Sequence, residues 1–309
     1  MEYKSGIIYF TKTAKLNTKI MIGAIIGDIV GSVYEFNNTK DYDFKLFSED
    51  SDITDDTIMT IAVAEWALKC KRKADFDLKS LEKIMVSTAE RYPSPKGDYG
   101  MAFSTWLFYP QGLIDYRTGE LAGKRCPYNS WGNGSAMRVS SIGWLFDSIE
   151  ETEQVAATSA SITHNHPEGI KGAEAVAAAI FLARNGASKK EIKEYIESKY
   201  EYNLDSTWEY LNKTYSWDSS CQGTVPQAII CFLDSSDFES AIRMSVSIGG
   251  DSDTLACITG SIAEAYYKDI PNSMISVTSA IIPEEFKVVL KQLAENSNYA
   301  EVFSKYFCK

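Results

Sequence analysis

Two acidic clusters, Thr54-Asp55-Asp56-Thr57 and Asp251-Ser252-Asp253-Thr254, lie toward opposite ends of this 309-residue chain, each directly before an apolar stretch with helical spacing. Each places carboxylates and hydroxyls at a helix N-terminus, where a single acid serves as a cap. Two acids at each of two sites, flanked by threonines, exceed what capping needs and point to cation coordination. Hard oxygen donors of this kind suit Mg²⁺, Ca²⁺ or Mn²⁺ rather than zinc. If the clusters share metals, distant parts of the chain must converge, and one interleaved domain achieves this most simply. A two-metal enzyme is the expectation, with the bond it cleaves left open.

Helical periodicity dominates between and beyond the clusters. Ile58, Ile61, Ala62 and Trp66 form one stripe within Ile58–Lys71. Gly169–Arg184 is alanine-rich and stops at Asn185-Gly186, and Leu255–Tyr267 closes before Pro271. Pro283-Glu284-Glu285 opens a further helix. Shorter helices are expected over Leu81–Arg91, Val139–Phe146, Glu151–Ser161, Leu204–Thr214, Val225–Leu233 and Phe238–Ser247. Two-residue alternation is rare, so the expected fold class is all-α: a single compact multi-helix domain over residues 21–309. Residues 1–20 read as an N-terminal extension or the product of an upstream start, and their Ile7-Ile8-Tyr9-Phe10 run is too short for a secretory core.

A net charge of -11 argues against nucleic acid or an anionic membrane as partner, because both need a basic surface. It leaves room for a phosphorylated small molecule met locally by metals and helix N-termini. No segment has the roughly 18 to 20 apolar residues of a membrane span. Cys70, Cys126, Cys221, Cys231, Cys257 and Cys308 are scattered, without metal-binding spacing, which suits a reducing, cytoplasmic setting. A monomer is expected.

Three further stretches carry chemistry. Gly23, Gly27 and Gly31 recur every four residues and make a smooth helix face for close packing, with Glu35 following in a polar segment. Asn129-Ser130-Trp131-Gly132-Asn133-Gly134 is a loop running into a helix, whose backbone amides offer an anion site and whose Trp131 offers a flat face for a base or ribose. His164 and His166 are the only histidines in the chain. They stand just before a helix N-terminus, able to donate to phosphate or ribose oxygens.

Taken in order, Gly27-Asp28 with Glu35, Thr54-Asp55-Asp56-Thr57, Trp131-Gly132-Asn133-Gly134-Ser135-Ala136-Met137-Arg138, Thr163-His164 and Gly250-Asp251-Ser252-Asp253-Thr254 resemble the ADP-ribosylglycohydrolase family. That family includes the dinitrogen-reductase-activating glycohydrolases and the vertebrate ADP-ribosylhydrolases. The resemblance runs from Met21 to the region of Pro271 and implies an all-α fold with two Mg²⁺ or Mn²⁺ ions below an ADP-ribose cleft. It implies Thr54, Asp55, Asp56, Asp251, Asp253 and Thr254 as metal ligands, with Asp56 also counted among the catalytic residues. Glu35 matches the acid of a mobile flap near the scissile bond, and Asp98 is a candidate second acid. Ser130, Trp131, Gly132, Asn133, Gly134 and His164 match the positions that hold diphosphate, adenosine and inner ribose, with Trp131 where the family often has tyrosine.

The implied reaction is hydrolysis of the glycosidic bond between ADP-ribose and an acceptor, through an oxocarbenium-like transition state. The expected substrate is an ADP-ribosylated protein or small-molecule conjugate, with ADP-ribosyl-arginine as the default. Two other readings stay open: a two-metal nucleotide phosphodiesterase or phosphatase, and a non-catalytic ADP-ribose-binding protein.

Overall fold

A computed structural model describes residues 21–73 and 76–297; the 1–20 extension and Cys308 lie outside them. Among the described residues there are fifteen α-helices, one short 3-10 turn (Pro110–Gly112) and no strand. In chain order the helices are α1 (Ile22–Gly31), α2 (Asp55–Lys73), α3 (Leu78–Arg91), α4 (Met101–Phe108), α5 (Gly134–Met137), α6 (Ser140–Leu145), α7 (Ile149–Ser161) and α8 (Pro167–Arg184). There follow α9 (Lys189–Tyr200), α10 (Trp208–Thr214), α11 (Cys221–Asp234), α12 (Phe238–Ser247), α13 (Ser252–Tyr267), α14 (Asn272–Ile281) and α15 (Glu284–Asn296). None is long and apolar enough to cross a membrane.

The long periodic stretches form helices as expected. Those at α4, α9 and α14 were not anticipated, and the region from Leu204 turns helical only at Trp208, where the Thr207 hydroxyl caps the Tyr210 amide. α9 carries a complete capping box, Ser188 with Glu191, that is visible in the sequence. Isolated β-bridges, Thr54 with Lys96 and Gly132 with Ser220, fasten loops where helices do not reach.

α13 is the axis of the molecule. Every residue from Ser252 to Ala265 is buried, as expected for a helix enclosed on all sides by others. α1 packs against it more extensively than any other helix pair, and α8, α11 and α12 cover much of the remainder. The α1–α13 approach depends on the glycine stripe. A Cβ on Gly27 would lie 2.0 Å from the Ala256 carbonyl oxygen, and one on Gly31 would lie 2.4 Å from the Asp253 Cα. Glu264 of α13 accepts the Gly23 amide at 2.8 Å, placing a carboxylate at the N-terminus of α1.

Because the contacted atoms are backbone, Gly27→Ala should separate the two helices and cost about 1–3 kcal/mol or more, as overpacked cores do. Gly112→Ala, whose added carbon meets nothing within 4 Å, should stay within about 0.5 kcal/mol of the parent. Equilibrium denaturation of the two variants checks this, and equal stabilities would contradict the packing argument.

Candidate active site

The close approach of α1 to α13 brings Asp28, near the end of α1, beneath the start of α2. Asp28 is fully buried. Its Oδ1 accepts from the Thr54 hydroxyl at 2.8 Å, and its Oδ2 accepts from the Thr54 and Thr57 amides, both at 3.1 Å. The Thr54 hydroxyl oxygen accepts the Asp56 amide at 3.2 Å. Thr54 and Asp28 thus cap α2, and the Asp55 and Asp56 carboxylates are not needed for that purpose. In the sequence Asp28 stands within a motif but shows no task of its own. Its partners sit across the fold, so spacing alone could not reveal them.

The second cluster departs from capping in the same way. Asp251 occupies the N-cap position of α13 but makes no capping side-chain bond; its Oδ2 accepts from Asn133 Nδ2 at 2.8 Å. Asn133 Nδ2 also donates to the Thr224 hydroxyl at 3.1 Å. Thr254 donates its hydroxyl to Asp56 Oδ1 at 3.2 Å, which ties the two clusters together. Ligand oxygens of Glu35, Asp251 and Asp253 lie within 4.8 Å of one another, an acidic group able to hold a metal ion.

Burial pushes every acid of this group upward, and Asp253 is the next largest cause for five of them. Asp28 is pushed up to about 7 and half-buried Glu35 to about 8. Asp55, Asp56 and Asp251 rise well above the ordinary carboxylate range for the same two reasons, and Asp253 itself is raised by burial. Among the described residues, no protein donor reaches the buried oxygens Glu35 Oε2, Asp56 Oδ2 and Asp253 Oδ1. Buried carboxylate oxygens without donors are costly unless protonated or opposite a cation. An all-oxygen set of aspartates, a glutamate and threonine hydroxyls meets the preference of divalent hard ions, so these residues fit such a group.

Glu35 follows α1 on a segment that is tied down. Asn38 pairs reciprocally with Gly250, donating to its carbonyl and accepting its amide, each at 2.8 Å, and it also donates to the Glu35 carbonyl at 2.9 Å. Gly97, at φ 78°, lies against Glu35; a Cβ there would come within 2.5 Å of Oε2. Asp98, the candidate second acid, is exposed in the next position at φ 61° and is not part of the acidic group.

The Ser130–Gly134 loop borders the acids but differs from the expected anion cradle. The Gly132 amide already donates to Ser130 Oγ at 3.1 Å, and the Asn133 amide to the Ser219 carbonyl at 2.8 Å. Those two N–H groups are therefore taken, and the Asn133 side chain serves Asp251. Trp131 is half exposed, its ring edge-to-face with His166 at 5.4 Å. His164 is buried, with Nε2 placed against Gly134 and Nδ1 2.7 Å from the Thr163 hydroxyl, which accepts from Arg138 at 2.9 Å. Burial, then the Arg138 charge, holds His164 well below its ordinary pKa, so it faces the loop as a neutral ring. His166 instead caps α8.

A family model for ADP-ribosylglycohydrolase matches residues 17–305. ADP-ribosylhydrolase ARH3 of Bos taurus is 28% identical over 319 residues, spanning 82% of this chain and 86% of that protein. ADP-ribosylarginine hydrolase Tri1 of Pseudomonas putida is 25% identical over 271 residues, spanning 80% of this chain and 69% of that protein. A solved structure called an ADP-ribosylglycohydrolase-related protein complex shares the fold, with a TM-score of 0.66 at 22% identity over 92% of this chain and 98% of that one.

The raised carboxyls set a pH dependence. Asp28 and Glu35 bind protons more tightly folded than unfolded, so their contribution to stability is present at low pH and is lost as pH rises through about 7 and about 8. In chelator, the thermal midpoint should fall between about pH 5.5 and about 8.5, and less steeply in Asp253→Asn, which removes the shared source of repulsion. A midpoint that rises with pH, or an unchanged slope in the variant, would contradict the electrostatic account.

Proposed function

This chain belongs to the ADP-ribosylglycohydrolase family, and on that premise we propose that it hydrolyses the glycosidic bond linking ADP-ribose to an acceptor. The observation that carries this reading is the convergence of Glu35, Asp55, Asp56, Asp251 and Asp253, held by Asp28 and Asn133, beside the loop bearing Trp131, against which His164 packs. ADP-ribosyl-arginine is the proposed conjugate, a choice supported by the likeness to an ADP-ribosylarginine hydrolase. The proposed setting is the cytoplasm.

In this reading Thr54, Asp55, Asp56, Asp251, Asp253 and Thr254 hold two divalent ions, Mg²⁺ or Mn²⁺. When bound, such ions neutralise the carboxylates, orient the ribose hydroxyls and lower the pKa of a bound water. The protein's own part begins with position. Asp28 fixes Thr54 and the first turn of α2, while Asn133 fixes Asp251, so the acids keep their spacing without moving during the reaction. Neutral His164 and the Trp131 face are proposed to receive the adenosine diphosphate side of the substrate.

Glu35 is the residue proposed to move a proton. A carboxyl with a pKa of about 8 keeps its proton at neutral pH and can deliver it to the departing acceptor. With a divalent ion held by the neighbouring aspartates, that pKa would be lower, and Glu35 would serve as the carboxylate that steers water toward the anomeric carbon. Both tasks need the same location, beside the acids and against Gly97. Exposed Asp98 is given no step.

A panel of defined ADP-ribose conjugates, incubated with Mg²⁺, with Mn²⁺ and with chelator, tests the reading. Release of intact ADP-ribose in the metal-containing arms is expected, whereas AMP would identify a phosphodiesterase. Asp56→Ala and Asp253→Ala should lose turnover together with metal affinity. Glu35→Gln should lower kcat by about 10²–10⁴ while calorimetry finds ADP-ribose binding preserved. Near-parental hydrolysis by Asp253→Ala under limiting metal would remove the proposed site.

A further inference from the structure

Phe36, the residue directly after Glu35, is 75% exposed although it is a large aromatic next to a half-buried acid. Its ring stacks on Trp217, itself 47% exposed, with centroids 5.8 Å apart and planes 19° from parallel. Neither ring belongs to the core. The backbones that carry it are nonetheless fixed. Asn38 pins the Phe36 segment to Gly250. The Trp217 segment packs on the same glycine: a Cβ on Gly250 would meet the Tyr215 ring at 2.6 Å and the Ser216 carbonyl at 3.3 Å. Lys40 joins the two segments, donating to the Tyr215 carbonyl at 2.9 Å and also to the Ile248 carbonyl. Two loops anchored around the Gly250 turn, directly before Asp251, thus hold an open aromatic stack at the acidic site.

We propose that Phe36 and Trp217 form the acceptor subsite and select a planar cation, the guanidinium of an arginine side chain, as the group leaving ADP-ribose. The inference rests on the assignment of Glu35 to the scissile bond. Phe36 directly follows Glu35 in the chain, and its open face can extend the stack onto a flat delocalised ion. Guanidinium stacks on aromatic faces, whereas ammonium behaves as a compact, strongly hydrated point charge. A serine hydroxyl as leaving group offers neither plane nor charge to such a stack.

The test compares wild type, Phe36→Ala, Phe36→Tyr and Trp217→Leu on two substrates, an ADP-ribosyl-arginine peptide and an ADP-ribosyl-serine peptide. On the arginine conjugate, Phe36→Ala and Trp217→Leu should lower kcat/KM by about 3- to 30-fold, while Phe36→Tyr retains it. The Kd for free ADP-ribose, which lacks an acceptor, should stay within about twofold in all variants. Equal losses on both conjugates, or weakened ADP-ribose binding, would show a merely structural role and overturn the proposal. An arm independent of turnover titrates the intact protein with n-butylguanidine and with n-butylamine, two monocations that differ in the planar head group, followed by tryptophan fluorescence. Saturable butylguanidine binding that butylamine does not match, and that Phe36→Ala abolishes, supports the subsite even if neither conjugate is cleaved, in which case the hydrolase reading alone fails. Cleavage of only the serine conjugate, with butylguanidine no better than butylamine, overturns the subsite and leaves the hydrolase reading standing.

Discussion

Repulsion among buried carboxylates is the constraint around which this molecule is arranged. Asp253 raises the pKa of Asp28, Glu35, Asp55, Asp56 and Asp251, second only to burial itself. Such a group does not persist unless stronger packing imposes it. Here the imposing contact is α1 against α13, where glycines at 27 and 31 let one helix backbone rest on the other and set Asp253 against the last turn of α1. The same buried helix pair supplies Asp28 and, just past its end, Glu35. Strain-like electrostatics at the site and tight packing beneath it are two aspects of one arrangement.

Division of labour among the polar groups follows from that arrangement. Thr54 and Asp28 satisfy the N-terminus of α2, and Asn133 holds Asp251, while one buried oxygen of each of Asp56, Asp253 and Glu35 has no donor among the described residues. Positioning and chemistry are carried by different side chains. This separation distinguishes the site from an ordinary pair of acidic helix caps, in which the acids themselves would be consumed by the backbone amides.

Much of this was legible in the sequence, for reasons that differ residue by residue. The helices after Thr54 and Gly250 were visible because their apolar spacing is long and regular, and the glycine stripe at 23, 27 and 31 announced a close helix contact. The partner of that stripe was not visible, since Ala256 and Asp253 are brought to it only by the fold. For the same reason Asp28 looked like one residue of a motif rather than the cap of another helix. In the Ser130–Gly134 loop the Gly132 and Asn133 amides are engaged with Ser130 and Ser219, and the Gly132–Ser220 and Asn133–Ser219 pairings are too distant in sequence for loop composition to reveal. Asp98 was offered only by the family resemblance; it stands exposed at φ 61° beside Gly97 and outside the acidic group that could hold a metal. α9, by contrast, carried a readable capping box and shows that cap chemistry can find a helix that hydrophobic periodicity does not single out.

The most direct test of the central claim is anomalous diffraction from crystals of the protein grown with Mn²⁺. The account predicts Mn²⁺ peaks among Asp55, Asp56, Asp251 and Asp253, with Thr54 and Thr254 beside them and Asp28 still bonded to Thr54 beneath. Peaks confined to the exposed acidic surface, with these carboxylates left uncoordinated, would contradict it.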